Sequence, residues 1–478
     1  MTRRRLPLAA LTAVLAALVL AQPQARAGND APVPAEWPAV QVLTPLPAQV
    51  YGNVDLALDR EGNIVVAGTT RSPDFPTTPD AVDRTCGNEG DAFVMVYAPS
   101  GVLRYSTCIG AATSEYWPRV APAPDGSVWL AVNTTLEPDF YSQPEGRVAI
   151  WRFTPGAAGY NQHAWLGGPG TLAGVTDAKA AADGSVWVLG STRAAYMPVV
   201  NAWQPTFGGG ESDLLLARYA PGRSEPLLLT YLGGRDWEGA GQLAIADDGD
   251  VILSGTSNSP DFPLVRPTQP RFGGGADIVL ARVDASGRWL EYSTFLGGDN
   301  SESNTAMAVD AGGHVSVAGT ANSPDFPPTP PSVERNGYRD VFFASIDEVG
   351  RLQSLTLMPT ATEQVPATDV ASYPRLLAPR PDGSVFVLGG YRSDNLLRAG
   401  AFRALVDASG AILRAPELLD LGVGDGSFVE ASVAGERFVY FVKMMYSVPD
   451  AYARWLLRTR IGPPGRDTEP LGNSHAKR

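Results

Sequence analysis

The sequence predicts an all-β fold, a closed seven-bladed β-propeller of four-stranded blades. Three observations predict it: a hairpin signature that recurs about every 62 residues, four strand-like runs in each repeat, and one spare strand-like run before the first repeat. The chain has 478 residues, of which 44 % are hydrophobic, and this is ample for a core of that size.

The hairpin signature is a glycine turn between two alternating apolar runs, as in DREGNIVVAGTT (59–70) and ADDGDVILSGTS (246–257). The tight turns of hairpins need a positive φ, so a glycine at this position favours a β-hairpin. The segment SPDFP follows the signature at 72–76, 259–263 and 323–327. The seven turn glycines are Gly62, Gly126, Gly184, Gly249, Gly313, Gly383 and Gly435.

Each repeat holds four strand-like runs, which in the fourth repeat are residues 242–246, 250–255, 277–284 and 289–295. The first run favours small residues, which suits a strand packed close to a crowded axis. Four-stranded sheets repeated about seven times are typical of a β-propeller. An open solenoid is the alternative for any repeat array.

Ring closure distinguishes the propeller from the solenoid. The runs of the last repeat are 428–433, 437–444 and 452–461. This repeat therefore lacks a fourth strand, whereas an unpartnered run at 39–44 precedes the first repeat and would complete the last blade. Such closure also protects the sheet edges. We predict a closed propeller over 28–462 and a polar tail over 463–478.

The N-terminus has the pattern of a secretory signal peptide. An arginine-rich segment at 3–5 precedes a short apolar run at 6–20, and a small-x-small cleavage pattern follows at 25–27. General and twin-arginine export both fit these arginines. We expect residues 1–27 to be removed and the mature chain, without a transmembrane segment, to be periplasmic, secreted or bound at the cell surface.

Two cysteines in an exported protein tend to pair. Cys86 and Cys108 lie 22 positions apart in the first repeat, and we predict a disulfide between them, with two inert thiols as the alternative. Closing a loop of this length stabilises a fold by about 3 kcal/mol in the chain-entropy picture. The role is structural in either case, because no CxxC motif occurs.

Composition and charge exclude several classes of function. The formal net charge of -13 opposes nucleic-acid binding, which needs clustered Lys and Arg. Three histidines in the chain oppose a histidine-ligated metal centre, and no GxSxG nucleophile elbow occurs. We predict no cofactor, and Ca²⁺ is the one ion that the carboxylates of the loops would suit.

Several motifs together resemble the SBBP repeats, a family named for seven-bladed bacterial β-propellers. They are the strand ending YSTFLGG (292–298), the segment GGGAD (273–277), the DASG turn (284–287) and the three SPDFP copies. The likeness covers most of 40–460 and is strongest in the first, fourth and fifth repeats. It implies a secreted or cell-surface bacterial propeller and no defined activity.

In such blades, the links between blades and the links between second and third strands emerge on one face, here called the upper face. Its long loops are 71–90, 193–211, 258–275 and 321–338. Loops on a rigid scaffold often carry binding residues, so Asp74, Asp261 and Asp325 of the SPDFP copies are candidate ligand contacts. The alternative is that they cap turns while their neighbouring phenylalanines pack between blades.

A second candidate set lies in the links that enter the first strand of each blade, around the expected mouth of a central channel. Its acidic members are Glu115, Asp236, Glu238, Asp299 and Glu302. They form either a ring of negative potential or an ordinary solvated surface. Trp117 and Trp237 occupy the same links, where they would provide a platform for stacking sugars or pack within blades.

Two functions from different classes fit these features. The first is an exported, non-catalytic propeller that binds a protein or a polysaccharide at the bacterial cell envelope, which the abundant loops and absent catalytic motifs favour. The second is a hydrolase or lyase with carboxylates at the channel mouth, because two carboxyl groups suffice for glycoside chemistry. The second function predicts two inward-facing carboxyls, one of them with a raised pKa.

Overall fold

The computed structural model describes residues 40–87, 90–110, 114–135, 147–167, 173–326, 340–358, 370–393, 399–407, 411–419, 427–435, 438–447 and 451–461. These ranges form 28 β-strands, and they contain no helix with the length and apolar character needed to cross a membrane. The chain divides into two units: Met1–Glu36 lies outside the described residues, and Trp37–Arg478 contains all of them. The predicted signal peptide (1–27) and polar tail (463–478) also lie outside the described residues.

The strands form seven four-stranded antiparallel sheets, which are the blades of a propeller. The first blade comprises β2 (Val50–Leu58), β3 (Ile64–Thr70), β4 (Asp91–Tyr97) and β5 (Leu103–Ile109). The second comprises β6 (Ser114–Pro122), β7 (Val128–Thr135), β8 (Arg147–Phe153) and β9 (Tyr160–Leu166). The third comprises β10 (Ala173–Ala180), β11 (Val186–Thr192), β12 (Asp213–Tyr219) and β13 (Leu228–Leu232).

The remaining blades follow the same order along the chain. The fourth comprises β14 (Glu238–Ile245), β15 (Val251–Ser257), β16 (Asp277–Val283) and β17 (Leu290–Leu296). The fifth comprises β18 (Glu302–Val309), β19 (Val315–Ala321), β20 (Asp340–Ile346) and β21 (Leu352–Met358). The sixth comprises β22 (Val370–Pro379), β23 (Val385–Ser393), β24 (Ala399–Val406) and β25 (Ile412–Leu419). The last comprises β26 (Ser427–Ala434), β27 (Phe438–Ser447), β28 (Ala451–Arg460) and β1 (Gln41–Pro45).

The first strand described, β1, closes the ring. It pairs antiparallel with β28, placing Gln41 opposite Arg458, and the Arg458 guanidinium donates to the Gln41 side chain at 2.9 Å. The first strand of every blade also packs against the first strands of both neighbouring blades, including the last blade against the first. The predicted closed propeller, with an N-terminal strand completing its last blade, is therefore confirmed, and the open solenoid is not.

The first strand of each blade carries a β-bulge. In β14 the register shifts between Ala240 and Leu243, and the strand begins at Glu238 rather than at the predicted residue 242. A bulge inserts an extra residue and interrupts the alternation of inward and outward side chains. The alternation in the sequence therefore reveals only the part of each first strand that follows the bulge.

Polar side chains near the bulges tie the first strands of the first five blades to one another in sequence. Asp55 accepts an N–H of β6 at 2.9 Å, and Arg119 donates to a carbonyl of β10 at 2.5 Å. Asp177 accepts an N–H of β14 at 2.8 Å, and Gln242 accepts an N–H of β18 at 2.7 Å. These bonds satisfy backbone groups of the first strands, each of which is the edge strand of its sheet.

Apolar side chains pack between neighbouring blades, as where Trp187 of the third blade and Leu253 of the fourth share one cluster. The three phenylalanines of the SPDFP copies belong to such clusters and are buried. They are Phe75, Phe262 and Phe326. Their rings lie 4.6, 6.0 and 5.2 Å from phenylalanine rings of their own blades. These residues thus hold adjacent blades together.

The long loops turn outward and run along the outermost strand of their own blade. In the third blade Val200 and Leu229 exchange backbone hydrogen bonds of 3.0 and 2.9 Å. In the fourth blade the Ser293 N–H donates to the Val265 carbonyl at 2.9 Å. These stretches cover an exposed sheet edge. Much of each loop is thus scaffold, and the upper face offers fewer free loop residues than their length suggests.

A disulfide fastens the equivalent loop of the first blade. Cys86 and Cys108 are bonded, with their Cα atoms 5.5 Å apart. At the corresponding place in the fourth blade Phe272 contacts Phe295, with ring centroids 5.8 Å apart, and the third blade has a similar aromatic pair at 5.9 Å. The disulfide therefore replaces an aromatic contact that holds the loop against the outermost strand.

Candidate functional site

The serines and aspartates of the SPDFP copies hold the link that enters the first strand of the same blade. Asp261 and Ser259 accept the N–H groups of two successive residues, Arg235 and Asp236, at 3.1 and 2.8 Å. In the fifth blade Asp325 and its serine accept the equivalent N–H groups at 2.8 and 2.9 Å. Two of the three candidate aspartates thus fix backbone in a neighbouring link, beyond the turn-capping role considered from the sequence.

The candidate glutamates Glu115, Glu238 and Glu302 are buried. Glu238 accepts the N–H of Gly234 at 3.1 Å and the hydroxyl of Ser257 at 2.7 Å, and burial raises its pKa. Glu302 accepts two backbone N–H groups at 2.8 and 3.0 Å. Because these side chains fold back onto the links, neither a ring of negative potential nor a solvated surface describes them, and both interpretations were wrong for the glutamates.

The remaining candidate acids, Asp74, Asp236 and Asp299, are exposed. Asp236 forms an ion pair with Arg235 at 3.6 Å. Asp299 lies beside Asp325, and desolvation followed by this neighbouring carboxyl raises its pKa. The carboxylate of Asp74 receives no hydrogen bond from a described residue, so the SPDFP copies are not equivalent in their contacts.

Two buried aspartates that were not candidates in the sequence begin the third strands of their blades. Asp213 accepts the N–H of Gly208 at 2.7 Å and the side-chain amide of Gln204 at 3.2 Å. Burial raises the pKa of Asp213 to about 7. The neighbouring Glu238 carboxyl adds to this rise, and the hydrogen bond from Gly208 opposes it. Asp277 repeats the arrangement in the fourth blade, and burial raises its pKa to about 6.

The carboxyls of Asp213 and Glu238 face each other across Gly233. A Cβ on this glycine would stand 2.5 Å from Glu238 Oε2 and 2.7 Å from Asp213 Oδ1. No described residue donates to Asp213 Oδ1. Two carboxyl groups that both lie this close to Gly233 disfavour each other's ionisation. The LGG motif and the segments GGGESD (208–213) and GGGAD (273–277) mark these positions in the sequence, but they do not indicate that the Asp213 and Glu238 carboxyls lie close together.

A cleft of about 440 Å³ opens on the upper face beside the first strands of the second and third blades. The first strands β6 and β10, the upper ends of β7 and β11 and the link into β14 contribute to it. Its aromatic, cationic and amide lining comprises Asn53, Tyr116, Trp117, Arg119, Asn133, Arg193 and Trp237. The cleft brings together the two tryptophans that the sequence nominated.

Trp117 lies within the bulge of β6, where the register shifts between Tyr116 and Arg119. Its φ of 50° is left-handed, a conformation that a bulky residue adopts at a cost. The side chain is 37 % exposed, and its ring meets Tyr116 edge-on at 5.4 Å. The fold thus holds a large aromatic ring at the surface in a strained backbone conformation.

Trp237 lies in the link just before β14, and Gly239 gives its ring room. A Cβ on Gly239 would stand 2.5 Å from the Cη2 atom of the Trp237 indole. The backbone of Trp237 is fixed on both sides, by a parallel bridge to Ser212 and by the Asn258 N–H, which donates to its carbonyl at 2.9 Å. The second aromatic side chain of the cleft is therefore carried on a well-anchored segment.

The charged groups of the cleft are arginines, and none of the described residues that line it is acidic. Arg119 donates to the carbonyls of Thr176 at 2.5 Å and Pro118 at 3.2 Å. Arg193 is exposed and makes no bond to a described residue. Asn133 is 3 % exposed. Its Nδ2 donates to nothing in the described part of the chain. The cleft therefore offers hydrogen-bond donors and positive charge.

The described residues contain no group of three side chains placed to hold a metal ion. The acidic turn 247–250 illustrates why an Asp-rich segment need not be a calcium loop. Arg282 forms ion pairs with Asp248 at 2.6 Å and with Asp250 at 2.8 Å. The two carboxylates are thus paired with an arginine of β16.

No protein-family model matches the sequence, and the search of curated proteins likewise gave no match. Similar solved structures include a protein of unknown function from Dyadobacter fermentans, with 14 % identity, 73 % of this chain and 96 % of that chain covered, and a TM-score of 0.41. The β-propeller domain of the Trilobed protease from Pyrococcus furiosus has 8 % identity, coverages of 84 % and 93 %, and a TM-score of 0.41. An ulvan lyase from a new family of polysaccharide lyases has 10 % identity, coverages of 88 % and 94 %, and a TM-score of 0.46. At these identities the likeness concerns the fold alone.

Proposed function

We propose that this chain is an exported, non-catalytic propeller of the SBBP type that binds a polysaccharide at the bacterial cell envelope. The observation that carries the proposal is the upper-face cleft, where Trp117 and Trp237 accompany Tyr116 on rigid β-structure. Aromatic side chains present a flat apolar face together with a polar edge, which suits the faces and hydroxyls of a sugar ring. The signal-peptide pattern at 1–27 supports export.

A polysaccharide fits this cleft better than a folded protein partner does. The site is concave and measures about 440 Å³, which lies within the size range of small-ligand pockets. The strained φ of Trp117 is the kind of outlier that persists where it serves a site. Protein partners generally need a broad, flatter surface of roughly 800 Å² on each side.

The alternative of a hydrolase or lyase needs two carboxyls that flank a substrate. The nearest candidate acids do not supply them to this cleft, because Glu115 and Glu238 are buried and Asp236 is paired with Arg235. The exposed pair Asp299 and Asp325 is the acidic site on which that alternative would rest. Release of reducing ends from envelope polysaccharides, lost in an Asp299→Asn variant, would favour the enzyme over the binding module.

The test of the proposal is calorimetric titration of the mature chain with a panel of soluble oligosaccharides. We expect Trp117→Ala and Trp237→Ala each to weaken binding at least about tenfold, as central aromatic contacts do. Trp289→Ala is the matched control, because Trp289 is 67 % exposed but lies in a hairpin away from the cleft. Binding to no member of the panel, or equal losses in the control, would refute the proposal.

A further inference from the structure

We propose that the cleft selects an acidic polysaccharide, with Arg193 as the residue that contacts its carboxylate groups. This inference rests on the proposed function and adds the chemical class of the ligand. The chain as a whole carries a formal charge of -13, so a generic part of its surface repels polyanions. A cleft in which arginines are the charged groups therefore stands out against the rest of the molecule.

Arg193 is the cation best placed to bind a ligand. It directly follows β11, which ends at Thr192, and its side chain lines the cleft, is exposed and makes no bond to a described residue. A guanidinium presents a planar fork of donors that matches a carboxylate with two parallel hydrogen bonds. Arg119, by contrast, donates to two backbone carbonyls. It therefore contributes positive charge to the cleft rather than a pair of donors for a carboxylate.

Asn133 gives a second, independent indication. Its Oδ1 accepts the N–H of Val175 at 2.8 Å, which fixes the orientation of the amide. Asn133 lines the cleft, and its Nδ2 is a buried donor with no acceptor in the described part of the chain. Buried donors are nearly always paired, and an unpaired one needs an explanation. An acceptor-rich ligand in the cleft would supply one.

Two of the described acidic groups near the cleft, Asp55 and Asp236, are engaged by other residues. Burial raises the pKa of Asp55, and the nearby Arg119 opposes this rise. The Asp55 carboxylate accepts the N–H of Val120 in β6. Asp236, adjacent to Trp237, is paired with Arg235. The tryptophans would therefore stack on sugar rings while Arg193 receives the carboxylate of a uronic acid.

The test compares matched pairs of oligosaccharides of equal length. Oligogalacturonate, oligoglucuronate and alginate oligosaccharides are each titrated beside the same oligosaccharide after reduction of its carboxyl groups. We expect the best acidic member to bind at least tenfold more tightly than its reduced counterpart and to lose affinity as salt is raised. Sulfated oligosaccharides form a further arm. Binding equal to that of the uronates supports recognition of anions, whereas tighter binding overturns the assignment of carboxylate.

Two variants assign the effect to the cleft. Arg193→Gln should lower affinity for the acidic oligosaccharide about tenfold and leave affinity for the reduced one unchanged, while Arg193→Lys retains part of the preference. Asn133→Asp keeps the acceptor for the Val175 N–H but puts a negative charge in the cleft, so it should abolish the preference. Arg288→Gln, an exposed arginine in the β16–β17 hairpin, is the control.

The outcomes separate this inference from the proposed function. Equal affinity for acidic and reduced members, both sensitive to Trp117→Ala, would overturn the inference and leave the polysaccharide-binding proposal standing. Binding of neither member would overturn both. A preference for the acidic member that Arg193→Gln does not alter would also overturn the inference, because the selectivity would then arise elsewhere. Melting temperatures confirm that each variant is folded.

Discussion

Replacing Asp213 by asparagine should make the protein more stable at mildly alkaline pH. The Asp213 carboxyl is buried opposite Glu238, and its pKa is raised from 3.8 to about 7. The folded state therefore holds this proton more tightly than the unfolded state does. The corresponding stability is present in full below about pH 4 and is lost as the pH rises through about 7.

The magnitude follows from the difference between the two pKa values. A difference of about three pH units corresponds to about 4 kcal/mol between low and high pH. Relaxation and water penetration reduce such values in real proteins, so we expect the variant to gain about 2 kcal/mol at pH 8.5. Asparagine keeps an oxygen for the Gly208 N–H and offers an amide to Glu238, so parent and variant should be almost equally stable at about pH 3.5, below the unfolded-state pKa.

The assay is urea unfolding of parent and variant at about pH 3.5, 5.0, 7.0 and 8.5, a range that spans both pKa values. Asp277→Asn provides a repeat of the test in the fourth blade, with a transition near pH 6. Asp125→Asn provides the opposite sign, because a hydrogen bond from Ser127 lowers the pKa of Asp125, and its variant should lose stability at high pH. If Asp213→Asn destabilised the protein equally at every pH, protonation of the buried Asp213 carboxyl would not be linked to folding and the reasoning would be refuted.

Three further predictions follow from the scaffold. Replacing Cys86 and Cys108 together by phenylalanine, as in the fourth blade, should preserve the melting temperature better than replacing both by alanine, which removes about 3 kcal/mol; equal losses in calorimetry would contradict the equivalence of disulfide and aromatic pair. Arg218→Met removes hydrogen bonds within the third blade and one to the fourth, and should cost about 2–3 kcal/mol in urea unfolding; an unchanged midpoint would show that these bonds add nothing. Asp261→Ala frees the link that carries Trp237 and should weaken oligosaccharide binding severalfold in the titration, whereas Asp74→Ala should not.

Local patterns in the sequence are sufficient to predict the blades but not the contacts between their ends. Gly249 and its equivalents predict hairpins, because the tight turn of a hairpin itself requires a positive φ. The φ of Gly249 is 91°. The bulge of β14 was not predicted. Gln242 lies in this bulge, and its side-chain oxygen accepts the N–H of Met307 in the next blade. Such a bond depends on residues about 65 positions away along the chain, which no local period reveals.

The candidate site shows the same division more sharply. Glu238 was predicted to lie in the link that enters a blade, whereas it is the first residue of β14. Its side chain is buried and accepts the N–H of Gly234. Asp213 was overlooked, since a single aspartate at the start of a strand is unremarkable until the fold sets it against that glutamate. Trp117 and Trp237 were proposed as ligand contacts from their positions in upper-face links, and the structure places both in one cleft, whereas the cleft itself and the place of Asn133 in it appear only in three dimensions.

Departure from the repeat, rather than agreement with it, marks the cleft. Aligning the units on the buried glutamates 115, 238 and 302 places Trp117 where the fourth unit has Ala240, and Trp237 where the second and fifth units have serines. Asn133 stands in the same way where the fourth unit has Thr256. Residues that recur around the ring have a structural role, which is to join the blades, as a repeated scaffold requires. Trp117 and Trp237 do not recur in this way and are partly open to solvent, and their convergence at a single cleft is the strongest reason to seek the ligand there.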